Sequence, residues 1–167
     1  MEQDLAYSDP FLADILGRTR TIAMVGASAN WNRPSHFVMK YMQTKGFRVL
    51  PVNPRDAGGE ILGEAVVATL AEVAAPVDFV DIFRNAEAAG AITDEAIALA
   101  AEKGIRTIWM QLGVRNDAAA ARASAAGLDV VMNRCPKIEF GRLNRELSWG
   151  GFDSGIVSSR RRRMRPI

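Results

Sequence analysis

The sequence predicts an α/β domain: a doubly wound, mainly parallel sheet of five strands with helices on both faces. Three observations carry this. Short apolar runs alternate with helical segments five times along the chain. The runs are continuous rather than alternating, as strands buried on both faces must be. The length, 167 residues, suits one domain with a single sizeable core.

The elements follow in order. Residues 1–19 include DPFLADILGRTR, which reads as a leading helix. RTIAMV (Arg20–Val25) is a short strand ending at Gly26. PSHFVMKYMQTKG (Pro34–Gly46) has helical spacing, with Phe37, Val38, Tyr41 and Met42 on one face. Pro34 suits its first position and Gly46 its stop. FRVLPVNP (Phe47–Pro54) is the second strand. A glycine-rich turn, a short extended piece and a short helix near Leu70–Val73 come next. VDFVDIF (Val77–Phe83) is the third main strand. Asn85–Gly104 is alanine-rich and helical, with a break expected near Gly90 and Thr93 as a cap. RTIWMQ (Arg106–Gln111) is the fourth main strand. Asn116–Gly127 is a helix capped by Asn116 and stopped by Gly127. LDVVMN (Leu128–Asn133) is the fifth.

Right-handed crossovers then suggest a Rossmann-like domain with main-strand order 3-2-1-4-5. The expected organisation is a leading helix over 1–19, the domain over 20–145 and an extension over 146–167 with a basic, disordered tail.

The formal net charge of +2 hides an asymmetry. Five arginines, Arg160, Arg161, Arg162, Arg163 and Arg165, crowd the last residues; the remainder carries 16 basic against 19 acidic residues. The basic balance belongs to the tail, so it argues for no nucleic-acid-binding fold. No apolar run is long enough to span a membrane. The first residues are acidic, without the basic-then-apolar order of a secretory signal. The one cysteine, Cys135, excludes an internal disulfide framework. A cytoplasmic protein is expected.

In an open parallel sheet, ligands bind outside the carboxyl ends of the strands. The residues there are rich in arginine, amides and small side chains, and poor in carboxylates and histidine. After the first strand, Gly26 permits close backbone approach, and the N–H groups of Ala27 and Ser28 can face an anion. The helix starting at Pro34 points its positive end into the same space. Arg33 can add a charge-assisted fork. The second and third glycines of a dinucleotide loop are missing. The acid that reads a ribose diol after the second strand is missing too, which disfavours NAD. Asn53 and Pro54 form a shelf suited to an adenine edge or ribose, and Arg55 can meet a further phosphate. Gln111 can hydrogen-bond a ligand amide, and Gly113 opens space after the fourth strand. Asp78 and Asp81 share one face of the third strand. Asp78 belongs at the strand entrance, and Asp81 is expected to order Arg84 or a helix terminus.

Taken together, VGAS…RPS, VLPVNP…GGEILGE, VDFVDIFR, IWMQLG and VVMNRCPKIE resemble the stand-alone CoA-binding domain proteins. These are similar to the CoA-binding N-terminal domain of the succinyl-CoA synthetase α subunit. The resemblance runs from Arg20 to Leu143. Val67-Ala68 departs from it, standing where an aromatic residue and a proline are expected. The resemblance implies coenzyme A, free or acylated, in the crevice. Gly26, Ala27, Ser28, Arg33, Pro34 and Ser35 would surround the phosphates. Asn53, Pro54 and Arg55 would border the adenosine. Phe83 and Arg84 would flank the adenine or pyrophosphate, and Gln111, Leu112 and Gly113 would line the pantetheine route.

A catalytic set is not assembled. His36 is the only histidine and stands in a helix. One His and one Cys are too few for a metal site. Cys135, near Arg134 and Lys137, is either a redox thiol able to form a mixed disulfide with CoA or an inert thiol at a strand exit. The expected function is CoA or acyl-CoA binding without catalysis. The alternatives are an NADP-binding oxidoreductase and a subunit of an acyl-CoA-handling enzyme. A protein partner or a homodimer stays open.

Overall fold

The computed structural model describes residues 5–74 and 76–146. The leading helix is α1 (Asp9–Arg18), capped by Ser8, whose hydroxyl accepts from the Phe11 amide. There follow β1 (Thr21–Val25), α2 (Pro34–Thr44) and β2 (Arg48–Val52). A two-stranded hairpin, β3 (Glu60–Ile61) and β4 (Glu64–Ala65), leads into a single 3-10 turn, Leu70–Glu72. The chain continues through β5 (Phe79–Ile82), α3 (Ala86–Lys103), β6 (Thr107–Met110), α4 (Asp117–Ala125), β7 (Asp129–Val131) and α5 (Pro136–Leu143).

The five-stranded parallel sheet bears out the predicted class, but not the predicted order. Its order is β2-β1-β5-β6-β7, or 2-1-3-4-5 in main strands. The third main strand pairs with β1 instead of extending the sheet beyond β2. Pro51 gives the reason. The Gly26 amide donates to Val52 O on the β1 side, so the nitrogen and carbonyl of Pro51 point to the outer side. A proline has no N–H to offer a further strand there, which makes β2 an edge. The excursion after β2 covers that edge: Asn53 N donates to Val67 O at 2.9 Å and Val67 N to Pro51 O at 3.3 Å.

Alternate strand residues feed two cores. Ile22, Met24, Phe79, Trp109 and Val131 pack under α1, α2 and α5. Ala23, Val80, Ile82, Ile108 and Met110 pack under α3 and α4. Asp78 stands at the amino edge, as expected. Its Oδ2 accepts from the Arg20 and Thr21 amides at 2.7 and 2.9 Å, tying the start of β5 to β1.

The expected break in α3 is absent. The helix runs unbroken, Asn85 caps it by accepting from the Ala88 amide, and Thr93 is buried with its hydroxyl donating to Ala89 O. Gly90 is there for space: a Cβ would lie 2.9 Å from Asn116 Nδ2. Asn116 caps α4 through Oδ1 and donates to Ala86 O through Nδ2, so it joins the two helices. In α2 the buried face is Ser35, Val38, Met39 and Met42; Phe37, expected on it, points outward.

The reading of the sequence did not anticipate α5. It packs on α1 and α2. Arg142 forks onto Asp9 at 2.7 and 3.1 Å, and Phe140 meets Phe47 and Tyr41 edge-on. Before α1, the Tyr7 hydroxyl accepts from the Met132 amide and Leu5 O accepts from Arg134, so the leading segment lies along the end of β7. The arginine-rich tail, and the extension carrying it, lie beyond Glu146, outside the described residues. Among the described residues no helix is long and apolar enough to cross a membrane.

Candidate functional site

The strand order reverses between β1 and β5, and the two strand exits meet at Gly26. Its φ is +92° and its amide donates to Val52 O at 2.8 Å. A Cβ on it would stand 2.4 Å from Phe83 O and 3.1 Å from Arg84 Cδ. Glycine is required by the turn and by the approach of the β5 exit. The exits of β1, β2 and β5 are thereby drawn together.

The missing glycines of the loop are replaced by side-chain turns. Ser28 Oγ accepts from the Asn30 amide at 3.1 Å, and Asn30 Oδ1 accepts from Asn32 N at 3.0 Å. Asp56 Oδ2 accepts from Ala29 N at 3.3 Å, and His36 Nδ1 lies 3.2 Å from Ser28 O. Short polar side chains supply bends that a second glycine would otherwise make. Arg33 then takes the N-cap position of α2 with Pro34 behind it, and contributes no side-chain cap bond. Ser35, in the first turn of α2, is 4% exposed, and its hydroxyl has no partner among the described residues.

Asn53 is committed to the scaffold. Its Nδ2 donates to Ala27 O at 2.7 Å and its Oδ1 accepts from the Arg55 amide at 3.0 Å. These bonds join the β2 exit to the β1 loop and leave Pro54 and Arg55 at the surface. Gln111 is committed too, and faces inward. Its Nε2 donates to Asp81 Oδ1 and Oδ2. Asp81 is therefore paired with Gln111, not with Arg84 or a helix terminus. Burial is complete enough to push the Asp81 carboxyl up to about 7, with the Gln111 hydrogen bond opposing. Leu112 and Gly113 turn outward beyond Gln111. The Gly113 amide donates to Asn133 Oδ1 at 2.8 Å, fastening the β6 exit to the β7 exit.

The arginines of this edge divide in two. Arg33, Arg55 and Arg84 are exposed, and among the described residues their side chains have no hydrogen-bond or ion-pair partner. Arg115 is bound to Asp117 at 2.8 Å. Arg134 donates to Leu5 O and Asn133 O at 2.6 and 2.9 Å and lies over the Tyr7 ring. The cationic setting expected at Cys135 is therefore weak. Burial pushes the thiol up and Asp81 adds to it; the Ile138 amide, whose effect exceeds that of Asp81, opposes along with the Lys137 amide and ammonium.

The structure thus gathers Gly26, Ala27, Ser28, Arg33, Pro34, Ser35, Asn53, Pro54, Arg55, Phe83 and Arg84 around three adjacent strand exits. It sets Leu112 and Gly113 further along the same edge. Sequence reasoning missed the exposed Trp31, Phe37 and Ile138. A loop tryptophan between two asparagines was their one legible signal.

The chain shares its fold and family with known proteins. The chain is 35% identical over 127 residues to the Bacillus subtilis protein YneT, covering 76% of this chain and 90% of that one. The structure of cell-free ID.343 from Thermus thermophilus is 38% identical with a TM-score of 0.75, covering 81% of this chain and 98% of that one. The dinucleotide-forming acetyl-coenzyme A synthetase 1 of Ca. Korarchaeum cryptofilum shares the fold at 20% identity, with a TM-score of 0.55 over 68% of this chain and 26% of that one. Residues 20–141 match the family described as CoA binding domain, and the chain belongs to that family.

Proposed function

We propose that the crevice at the exits of β1, β2 and β5 binds coenzyme A or its acyl thioesters, and that the chain holds this ligand without transforming it. One observation carries the reading. Arg33, Arg55 and Arg84 stand without partners among the described residues, one at each of three neighbouring strand exits. CoA brings a pyrophosphate and a 3′-phosphate, which need several cations and N–H donors rather than a diol-reading acid. The Ser35 hydroxyl, open to solvent and without a partner among the described residues beside the α2 N-terminus, adds a donor of the same kind.

In this reading, the loop from Gly26 to Ser28 and the turn Arg33–Ser35 hold the pyrophosphate. Pro54 and Arg55 border the adenosine and its phosphate. Asn53 acts through the scaffold by holding that shelf against Ala27. Phe83 and Arg84 close the other side, and Leu112 and Gly113 line the pantetheine arm, with Gln111 fixing the turn that presents them. A cytoplasmic setting, where CoA is held, belongs to the same reading.

Calorimetric titration of the full chain with CoA, NADP and NAD tests it. Saturable heat with CoA and none with the nicotinamide nucleotides supports the proposal. Silence with CoA and a response to NADP overturns it in favour of an oxidoreductase.

A further inference from the structure

Among the described residues, four large apolar side chains stand well exposed, and all four lie at the carboxyl edge of the sheet. Trp31 (68%) is in the loop after β1, Phe37 (50%) in the early turns of α2, Leu112 (56%) after β6 and Ile138 (43%) in the first turn of α5. Single exposed apolar residues are ordinary; their gathering on one rim is not.

The rim is continuous from element to element. The Gly113–Asn133 hydrogen bond fastens the connection bearing Leu112 to the one that leads into α5. Lys137 places its ammonium 5.5 Å from the centre of the Tyr41 ring, which joins the first turn of α5 to α2 one turn beyond Phe37. Leu112, Ile138 and Phe37 are therefore carried by successive neighbours around the sheet.

Charge varies along this edge. At the exits of β1, β2 and β5 the arginines have no partners among the described residues. At the exits of β6 and β7 they are neutralised by Asp117, Glu139 and backbone carbonyls, and Lys137 rests on an aromatic face. Trp31 stands beside the free Arg33, but a ligand that follows the edge toward β7 leaves the unpartnered arginines behind and ends on Leu112 and Ile138. Its chemistry must run the same way, anionic at one end and apolar at the other.

Resting on the coenzyme A reading, we infer that the ligand is an acyl-CoA with an apolar chain, seated on Ile138 beyond the pantetheine arm at Leu112. A free thiol leaves that surface wet, and a dicarboxylic acyl group sets a charge against it.

Titration of the full chain with CoA, octanoyl-CoA and succinyl-CoA tests this, alongside Ile138→Ser and Ile138→Leu and with sedimentation velocity on each protein. Ile138 is exposed, so the serine variant should fold, and its circular dichroism melt checks that. Octanoyl-CoA is expected to bind about tenfold more tightly than CoA, since a few methylenes leaving water suffice for that factor. Succinyl-CoA should bind no more tightly than CoA. Ile138→Ser should lose the octanoyl gain at unchanged CoA affinity, and Ile138→Leu should keep it. Equal binding of CoA and octanoyl-CoA overturns the inference while the CoA reading stands. Absence of CoA binding to the wild type ends both. A dimer that Ile138→Ser converts to monomer, with the octanoyl gain intact, assigns the rim to a second copy and overturns the inference.

Discussion

Gln111 Nε2 donates to both carboxylate oxygens of Asp81, at 2.9 and 3.2 Å, and both side chains are buried. Asp81 lies in register between Met24 and Trp109, and one carboxamide is the hydrogen-bond donor that faces it among the described residues. That is thin compensation for a buried carboxylate, and burial raises its pKa to about 7.

The pH dependence of stability follows. Below about pH 4 the carboxyl is protonated in the folded and the unfolded chain alike. Between about pH 4 and 7 the unfolded chain ionises while the folded one keeps its proton, so this group lowers stability as pH rises. Its full cost, on the order of 4 kcal/mol, is in place by about pH 8. Asp81→Asn should match wild type near pH 4 and exceed it increasingly up to pH 8. Urea midpoints across that range check this, and parallel curves for the two proteins would contradict it.

Two glycines should respond oppositely to alanine. At Gly26 the added methyl meets Phe83 O at 2.4 Å in a left-handed backbone, so Gly26→Ala should cost at least about 2 kcal/mol. Gly17 lies exposed in α1 with nothing within 4 Å of a Cβ, so Gly17→Ala should stabilise by roughly 0.5–1 kcal/mol. Denaturant melts of both variants decide the matter. A stable Gly26→Ala would mean that β5 does not press on the β1 exit.

The free arginines should matter to the ligand and not to the fold. Arg33→Ala and Arg84→Ala should each weaken CoA by about ten- to a hundredfold, the worth of one charge-assisted hydrogen bond, with unchanged melting. Arg115→Ala, whose guanidinium is bound to Asp117, should leave CoA affinity as it is. Calorimetry on the three variants separates these expectations, and equal losses from all three would point to bulk charge alone.

Cys135 should react slowly. The residue is 6% exposed and burial holds its thiol protonated at neutral pH. Labelling by a chromogenic disulfide at pH 7.5 should be slow in buffer and fast in urea. Rapid native labelling by CoA disulfide, absent in Cys135→Ser, would instead favour the redox alternative.

Much of this architecture can be read from the residues, and the misreadings share a cause. Runs such as TIWM and the Asn116 cap act locally, so they are legible. The strand order depends on which edge accepts a partner. Pro51 held that information, but its meaning appears only once its nitrogen is known to point outward. Gly90 reads locally as a helix breaker; in the fold it makes room for Asn116, 26 positions away. At the site, Gly26 and the arginines could be chosen by chemistry alone. Gln111 could not be assigned: a strand-end glutamine looks the same whether it faces a ligand or a buried acid. The apolar rim escaped because Phe37 fits a helical face by spacing, while the helix itself is rotated to bury Met39.

The contacts of α1 have a consequence for how the chain acquires its structure. Tyr7, Asp9 and the apolar face of α1 bind Met132 at the end of β7, Arg142 and the rest of α5, more than a hundred residues on. As the chain emerges from the ribosome, α1 must wait for α5 before its apolar face is covered. Contacts of such long sequence separation slow the final closure and leave a sticky intermediate exposed. Mutations that loosen the Asp9–Arg142 clasp should therefore register first as poor yield during synthesis, and only secondarily as a lowered melting point.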